Sequence, residues 1–148
     1  MTGSAMTLNW EEENLDGIIQ GWYPGARGGK AIARLLFGEA DFEGKLPVTF
    51  YRTMEELPEF TDYSMKNRTY RYMKNEALYP FGYGLSYTKF EYENTVLIED
   101  ADHVDIKTII KNTGKMDGTE TVQVYVKAEH SKICLLYTSD AADEEDSV

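Results

Sequence analysis

The chain has 148 residues, 42% of them hydrophobic and 13% aromatic, which is enough apolar material for one compact domain or for parts of two. Its formal net charge of −11, from 26 acidic and 15 basic residues, is unsuited to phosphate binding and argues against a nucleic-acid partner. No apolar run reaches the roughly 20 residues of a membrane span, and one cysteine (Cys134) with two histidines (His103 and His130) excludes a disulfide framework and argues against a zinc site.

The first fifty residues have the pattern of two helices and a strand. Four apolar residues fall on one face of a helix that would begin near Asn14 and end at Tyr23-Pro24-Gly25, namely Leu15, Ile18, Ile19 and Trp22. A second helix is predicted from Gly28 to Phe37, with Gly38 as its left-handed C-terminal residue. Lys45–Phe50 is predicted to be a short strand interrupted by Pro47. Residues 1–50 therefore fit the end of an α/β layer domain.

Residues 51–88 contain few periodic apolar positions but many aromatic ones. Such a long segment without regular structure is uncommon inside a domain, so we expect a linker arm anchored by its rings. The aromatic residues are Phe60, Tyr63, Tyr70, Tyr72, Tyr79, Phe81, Tyr83 and Tyr87.

After Lys89 the apolar period changes to two, which predicts half-buried strands around Phe90–Tyr92, Val104–Lys111 and Val122–Val126. The turn residues Asn112-Thr113-Gly114 and Asp117-Gly118 predict that the last two strands form a hairpin. A sandwich of the fibronectin or immunoglobulin type needs about seven strands. Residues 89–132 are therefore expected to form an incomplete sandwich, and the fold class is an α/β layer fragment followed by a truncated all-β sandwich.

Residues 133–148 do not continue the strand pattern. They contain five acidic residues and no glycine, and the amino-acid sequence from Cys134 to Glu144 is typical of a translated sequencing adapter. We interpret this stretch as an adapter-derived, non-native tail without a biological function.

Two motifs that suggest other chemistry fail on spacing. In Gly25–Lys30 a glycine-rich turn opens a helix, but Pro24 and Ala31 occupy positions where a phosphate-binding loop needs glycine and Ser or Thr. Ser4 lacks the flanking glycines of a nucleophile elbow. We therefore predict neither nucleotide binding nor any other cofactor.

Carboxylates and aromatic rings are the remaining candidates for a site. One acidic group lies in a loop, Glu39, Asp41 and Glu43, and another in the arm, Glu55, Glu56, Glu59 and Asp62. Glycoside hydrolysis needs two carboxyl groups about 5–9.5 Å apart, although most acidic loops are simply solvated. Rings that could contact a sugar, or simply pack at a domain junction, are Trp22, Tyr63, Tyr70 and Tyr72.

Several motifs occur in an order that resembles family 3 glycoside hydrolases. Trp22–Gly25, Gly28-Gly29, Leu36–Gly38 and Gly44–Phe50 resemble the end of that family's C-terminal α/β sandwich domain. Arg68–Tyr72 and Leu78–Thr88 resemble the linker that follows, and the motifs between Lys111 and Val126 resemble the first hairpin of its fibronectin type III-like domain. The resemblance covers roughly Thr2 to Lys127.

The resemblance implies a retaining, exo-acting β-glucosidase or β-xylosidase whose substrate is a β-linked oligosaccharide or glycoside. In the family the nucleophilic Asp lies in an N-terminal barrel and the acid/base Glu lies upstream of the matching segment. No catalytic, cofactor-binding or metal-binding residue is therefore assigned in this chain, which we expect to be inactive alone.

The alternative is a non-catalytic carbohydrate-binding or accessory module. The incomplete strand count favours an enzyme fragment, because a separate module would close its own core. The segment Asp62–Met65 followed by Arg68–Tyr72 is closer to the xylosidase branch. Localisation and oligomeric state stay open.

Overall fold

A computed structural model describes residues 2–100 and 103–127 and the backbone of Leu135–Tyr137. The contacts divide the chain into two units. The first unit contains the described parts of Met1–Gly25, Lys45–Tyr83 and Val122–Val148, and the second contains Ala26–Gly44 and Gly84–Thr121. The described chain combines short helices with two small two-stranded sheets.

Helix α1 spans Asn9–Asn14 and has Glu11 and Glu12 in its first turn, where carboxylates favour the positive end of the helix dipole. The helix predicted from Asn14 to Trp22 is wrong. Leu15 is already extended, and the residues after it are irregular. Gly17 interrupts the predicted helix and two β-branched isoleucines follow it, so the periodic apolar face does not offset the poor helix propensity.

Helix α2 spans Gly28–Leu36, as predicted to within one residue. Gly38 has φ +70°, the left-handed conformation expected where the helix ends. Its amide lies 3.1 Å from the carbonyl of Leu35, and the amide of Phe37 bonds that of Ala33 at 2.9 Å. These bonds satisfy carbonyls that would otherwise lack a partner at the helix end.

The strand predicted at Lys45–Phe50 is reduced to an isolated antiparallel bridge between Phe50 and Tyr79. The same two stretches also pair at Leu46, whose amide bonds the carbonyl of Tyr83 at 2.8 Å and whose carbonyl accepts from Gly82 at 2.7 Å. Pro47 lies between the two paired positions and has no N–H to donate, so the ladder is broken there. Phe50, 1% exposed, and Leu78 are the buried hydrophobic residues of the described chain.

The arm contains only two short helical turns, a 3₁₀ turn at Met54–Glu56 and helix α3 at Thr69–Tyr72. The rest of residues 51–88 is irregular apart from the bridge at Tyr79. The sequence pattern predicted this lack of regular structure.

Strands β1 (Phe90–Glu99) and β2 (Val104–Asn112) form an antiparallel hairpin whose register shifts between Glu93 and Val96. Pairing of β2 with the strand at Val122–Val126 was predicted and is wrong. The side chain of Asn112 accepts the amide of Gly114 at 3.0 Å, so the turn residues after β2 form a local Asx turn instead. The prediction that these strands are half-buried is also wrong, because most side chains of β1 and β2 are exposed.

Strand β3 (Val124–Val126) pairs antiparallel with β4 (Leu135–Tyr137). The tail interpretation anticipated no strand in residues 133–148, so β4 corrects that detail. The other residues of that range lie outside the described part. No helix in the described part is long and apolar enough to cross a membrane.

Candidate functional site

The acidic loop that follows α2 is organised around Asp41, which is only 7% exposed. One carboxylate oxygen accepts the Ser86 hydroxyl at 2.6 Å, and the other accepts the Tyr87 amide at 2.7 Å. The Ser86 oxygen in turn accepts the amide of Thr88 at 3.0 Å. Asp41 thus fixes the 38–44 loop to the segment that leads into β1, which is a structural role for this candidate carboxylate.

An open groove of about 610 Å³ adjoins the same loop in the second unit. Glu43 accepts the hydroxyl of Thr119 at 2.9 Å on its rim, and Glu39 forms an exposed ion pair with Arg34 at 3.6 Å. Within the described residues no cluster of His, Cys, Asp and Glu could hold a metal ion. The groove residues are Glu39, Ala40, Asp41, Glu43, Lys115, Met116, Asp117, Gly118 and Thr119.

Three of the four candidate carboxylates of the arm, Glu55, Glu56 and Asp62, are engaged with nearby backbone groups. Glu56 completes a capping box with Thr53 at the start of the 3₁₀ turn. Backbone hydrogen bonding lowers the pKa of Glu55, and the Ser64 amide, which donates to Asp62 at 2.8 Å, lowers the pKa of Asp62. A general acid at neutral pH needs a raised pKa, so Glu55 and Asp62 are poorly suited to protonating a leaving group. Glu59 is exposed.

Two of the four candidate aromatic rings, Trp22 and Tyr70, pack against other rings of the first unit. Trp22 meets Phe50 edge-on at 6.2 Å between ring centroids. Tyr70 lies 5.0 Å from Phe81 and 6.0 Å from Tyr125. This arrangement supports packing as the main role of Trp22 and Tyr70.

The other two rings differ in exposure. Tyr72 is partly exposed, whereas Tyr63 is 83% exposed. The sequence did not single out Phe60 as a sugar contact, yet it is 90% exposed, more than any other large hydrophobic residue described. Exposure is a tertiary property, and nothing in the sequence distinguishes Phe60 from the packed rings.

The family model described as "Glycosyl hydrolase family 3 C-terminal domain" matches residues 1–87 of the chain. The chain is 48% identical over 128 residues to a xylan 1,4-β-xylosidase of Xylanibacter ruminicola, covering 85% of this chain and 15% of that protein. It is 35% identical over 143 residues to a periplasmic β-glucosidase of Salmonella typhimurium, covering 86% of this chain and 19% of that protein.

Among solved structures, β-glucosidase 3B of Thermotoga neapolitana in complex with glucose superimposes with a TM-score of 0.84 at 34% identity. The alignment covers 91% of this chain and 22% of that one. The chain thus spans about a fifth or less of the length of these relatives.

Proposed function

Because the chain belongs to glycosyl hydrolase family 3 and matches its C-terminal domain, we propose that it is part of a retaining β-glycosidase that removes terminal sugars from β-linked oligosaccharides. The observation that carries this proposal is the 48% identity to a xylan 1,4-β-xylosidase along 85% of the chain. Relatives named β-glucosidase support the same class of reaction.

Within this proposal, residues 1–50 are the end of the C-terminal α/β sandwich domain and residues 51–88 are the linker arm. Residues 89–132 are an incomplete fibronectin type III-like domain. The hairpin of β1 and β2 supports the β character of this last region. Residues 133–148 are the adapter-derived tail.

We assign no catalytic residue to this chain. Asp41, Glu56 and Asp62 accept hydrogen bonds from their own chain, which accounts for them without catalysis. Retaining hydrolysis requires a nucleophile and an acid/base carboxyl about 5–5.5 Å apart. Purified chain should therefore not hydrolyse 4-nitrophenyl β-xyloside or β-glucoside above a heat-inactivated control, and clear turnover would refute this part of the proposal.

We infer a xylosidase rather than a glucosidase as the parent enzyme. The identity of 48% to the xylosidase, against 32% and 35% to the β-glucosidases of Bacteroides ovatus and Salmonella typhimurium, supports this choice. The two substrates differ by one hydroxymethyl group, which a pocket distinguishes by about 1–3 kcal/mol. Comparing kcat/KM of the complete enzyme on aryl xyloside and aryl glucoside tests the inference, and a glucoside preference above about tenfold would overturn it.

A further inference from the structure

A short loop of the first unit, residues 59–68, presents two aromatic rings to solvent. Phe60 is 90% exposed and Tyr63 is 83% exposed. Some other rings of the same unit pack together, as Tyr79 and Tyr83 do at 5.2 Å between centroids, although Tyr23 is also largely exposed. A single exposed ring is common on protein surfaces, but these two rings lie three positions apart on one loop, which makes the loop a candidate contact surface.

The backbone beneath these rings is held by several hydrogen bonds. The Asp62 amide bonds the carbonyl of Glu59 at 2.9 Å, and the Ser64 amide bonds the Asp62 carboxylate at 2.8 Å. One guanidinium nitrogen of Arg68 reaches back to the carbonyls of Glu59 and Asp62, at 3.2 and 2.9 Å. The rings therefore stand on a preorganised loop, which reduces the entropy lost when a ligand binds.

Three residues at or just after the end of the loop have a left-handed backbone conformation. Met65, Asn67 and Thr69 have φ values of 61°, 59° and 58°, and for the β-branched Thr69 this left-handed conformation is an outlier. Its amide is held by the Tyr51 hydroxyl at 2.7 Å. The Nε of Arg68 is buried and has no hydrogen-bond partner among the described residues. Strained residues and unsatisfied polar atoms of this kind cluster at ligand-binding sites.

We propose that Phe60 and Tyr63 form an aromatic platform that binds a sugar ring of a β-linked oligosaccharide. The C–H groups on one face of a pyranose pack against the face of an aromatic ring, which carries partial negative charge. Glu59 and Asp62 are next to the rings in sequence, and their carboxylates accept hydrogen bonds from hydroxyl groups. This chemistry suits a neutral, hydroxylated ligand, and the inference rests on the proposed function for the ligand class.

The test is a nuclear magnetic resonance titration of the 148-residue chain with xylotetraose and with cellotetraose. Losing one ring–sugar contact should weaken binding roughly two- to tenfold, so Tyr63→Ala should raise Kd by that factor. Tyr63→Phe should stay within about twofold because the ring is kept. Tyr23→Ala is the matched control, since Tyr23 is 82% exposed but lies outside the loop.

Equal weakening by Tyr63→Ala and Tyr23→Ala, or no binding of either sugar by the unaltered chain, would overturn the platform. Amide spectra of each variant show whether the loop stays folded. Phe60→Ala provides a second, independent loss of a ring and should weaken binding similarly. The assay reads binding by the chain, whereas hydrolysis by a complete enzyme tests the proposed function, so either can fail without the other.

Discussion

Replacing Asp41 tests whether its carboxylate is a structural clamp. A hydrogen bond to a charged group contributes about 1.5–3 kcal/mol, and Asp41 accepts two such bonds, from Ser86 and Tyr87, while 7% exposed. Asp41→Ala should therefore cost about 3–6 kcal/mol, which is comparable with the whole stability of a small domain. Asp41→Asn keeps one acceptor and should cost about half as much.

The free energy of unfolding of the second unit can be followed by urea titration with circular dichroism and by hydrogen exchange at the Tyr87 amide. Glu39→Gln is the control from the same loop, because Glu39 is exposed and its ion pair with Arg34 is solvated. We expect it to change stability by less than about 1 kcal/mol. A double-mutant cycle of Asp41→Asn with Ser86→Ala should give a coupling energy of about 0.5–3 kcal/mol.

Two results would refute the clamp. One is an Asp41→Ala variant whose free energy of unfolding lies within about 1 kcal/mol of that of the unaltered chain. Removing a buried acceptor that makes two short hydrogen bonds should destabilise the chain by more than that. The other is additivity in the cycle with Ser86, since contacting residues are expected to couple.

Further predictions concern two glycines, Gly82 and Gly29, and the carboxylate of Asp62. Gly82→Ala should destabilise by about 1–3 kcal/mol in urea titrations, because φ is +80° and an added Cβ would collide with the side chain of Gln123. Gly29→Ala, with open space around its Cβ position in α2, should be neutral or stabilising; equal costs would contradict the argument. The Ser64 amide donates to Asp62 and lowers its pKa, so the contribution of this bond is present above pH 3.8 and is lost as pH falls through the lower folded value. The chemical shift of the Ser64 amide should report that midpoint, and a midpoint above 3.8 would contradict the bond.

The sequence predicted those features that depend on neighbours along the chain. Helix α2 and the left-handed Gly38 follow from apolar spacing and from the freedom of glycine to adopt positive φ. The strands β1 and β2 follow from the two-residue period, but their pairing does not, because turn residues at Asn112 and Asp117 resemble a hairpin signal. The helix predicted from Asn14 to Trp22 does not form, which shows that apolar spacing alone did not outweigh the low helix propensity of Gly17.

The candidate site was less predictable because it depends on contacts distant in sequence. Asp41 and Ser86 are separated by 45 positions, and no local pattern joins them. The two tyrosines of the arm are a second example. Tyr70 packs on Tyr125 and Tyr63 is exposed, but the sequence around them does not show which of the two is packed. The linker arm was predicted as irregular, but which of its rings face solvent is decided by tertiary packing.

The most direct test of the account is a chimera. Residues 2–127 would replace the matching segment of the Xylanibacter ruminicola xylan 1,4-β-xylosidase, to which the chain is 48% identical. If this chain is the C-terminal part of such an enzyme, the chimera should hydrolyse aryl β-xyloside with kcat/KM within about tenfold of the parent, while the parent lacking the segment should not. A soluble, folded chimera with no more activity than the truncated parent would contradict the proposed function.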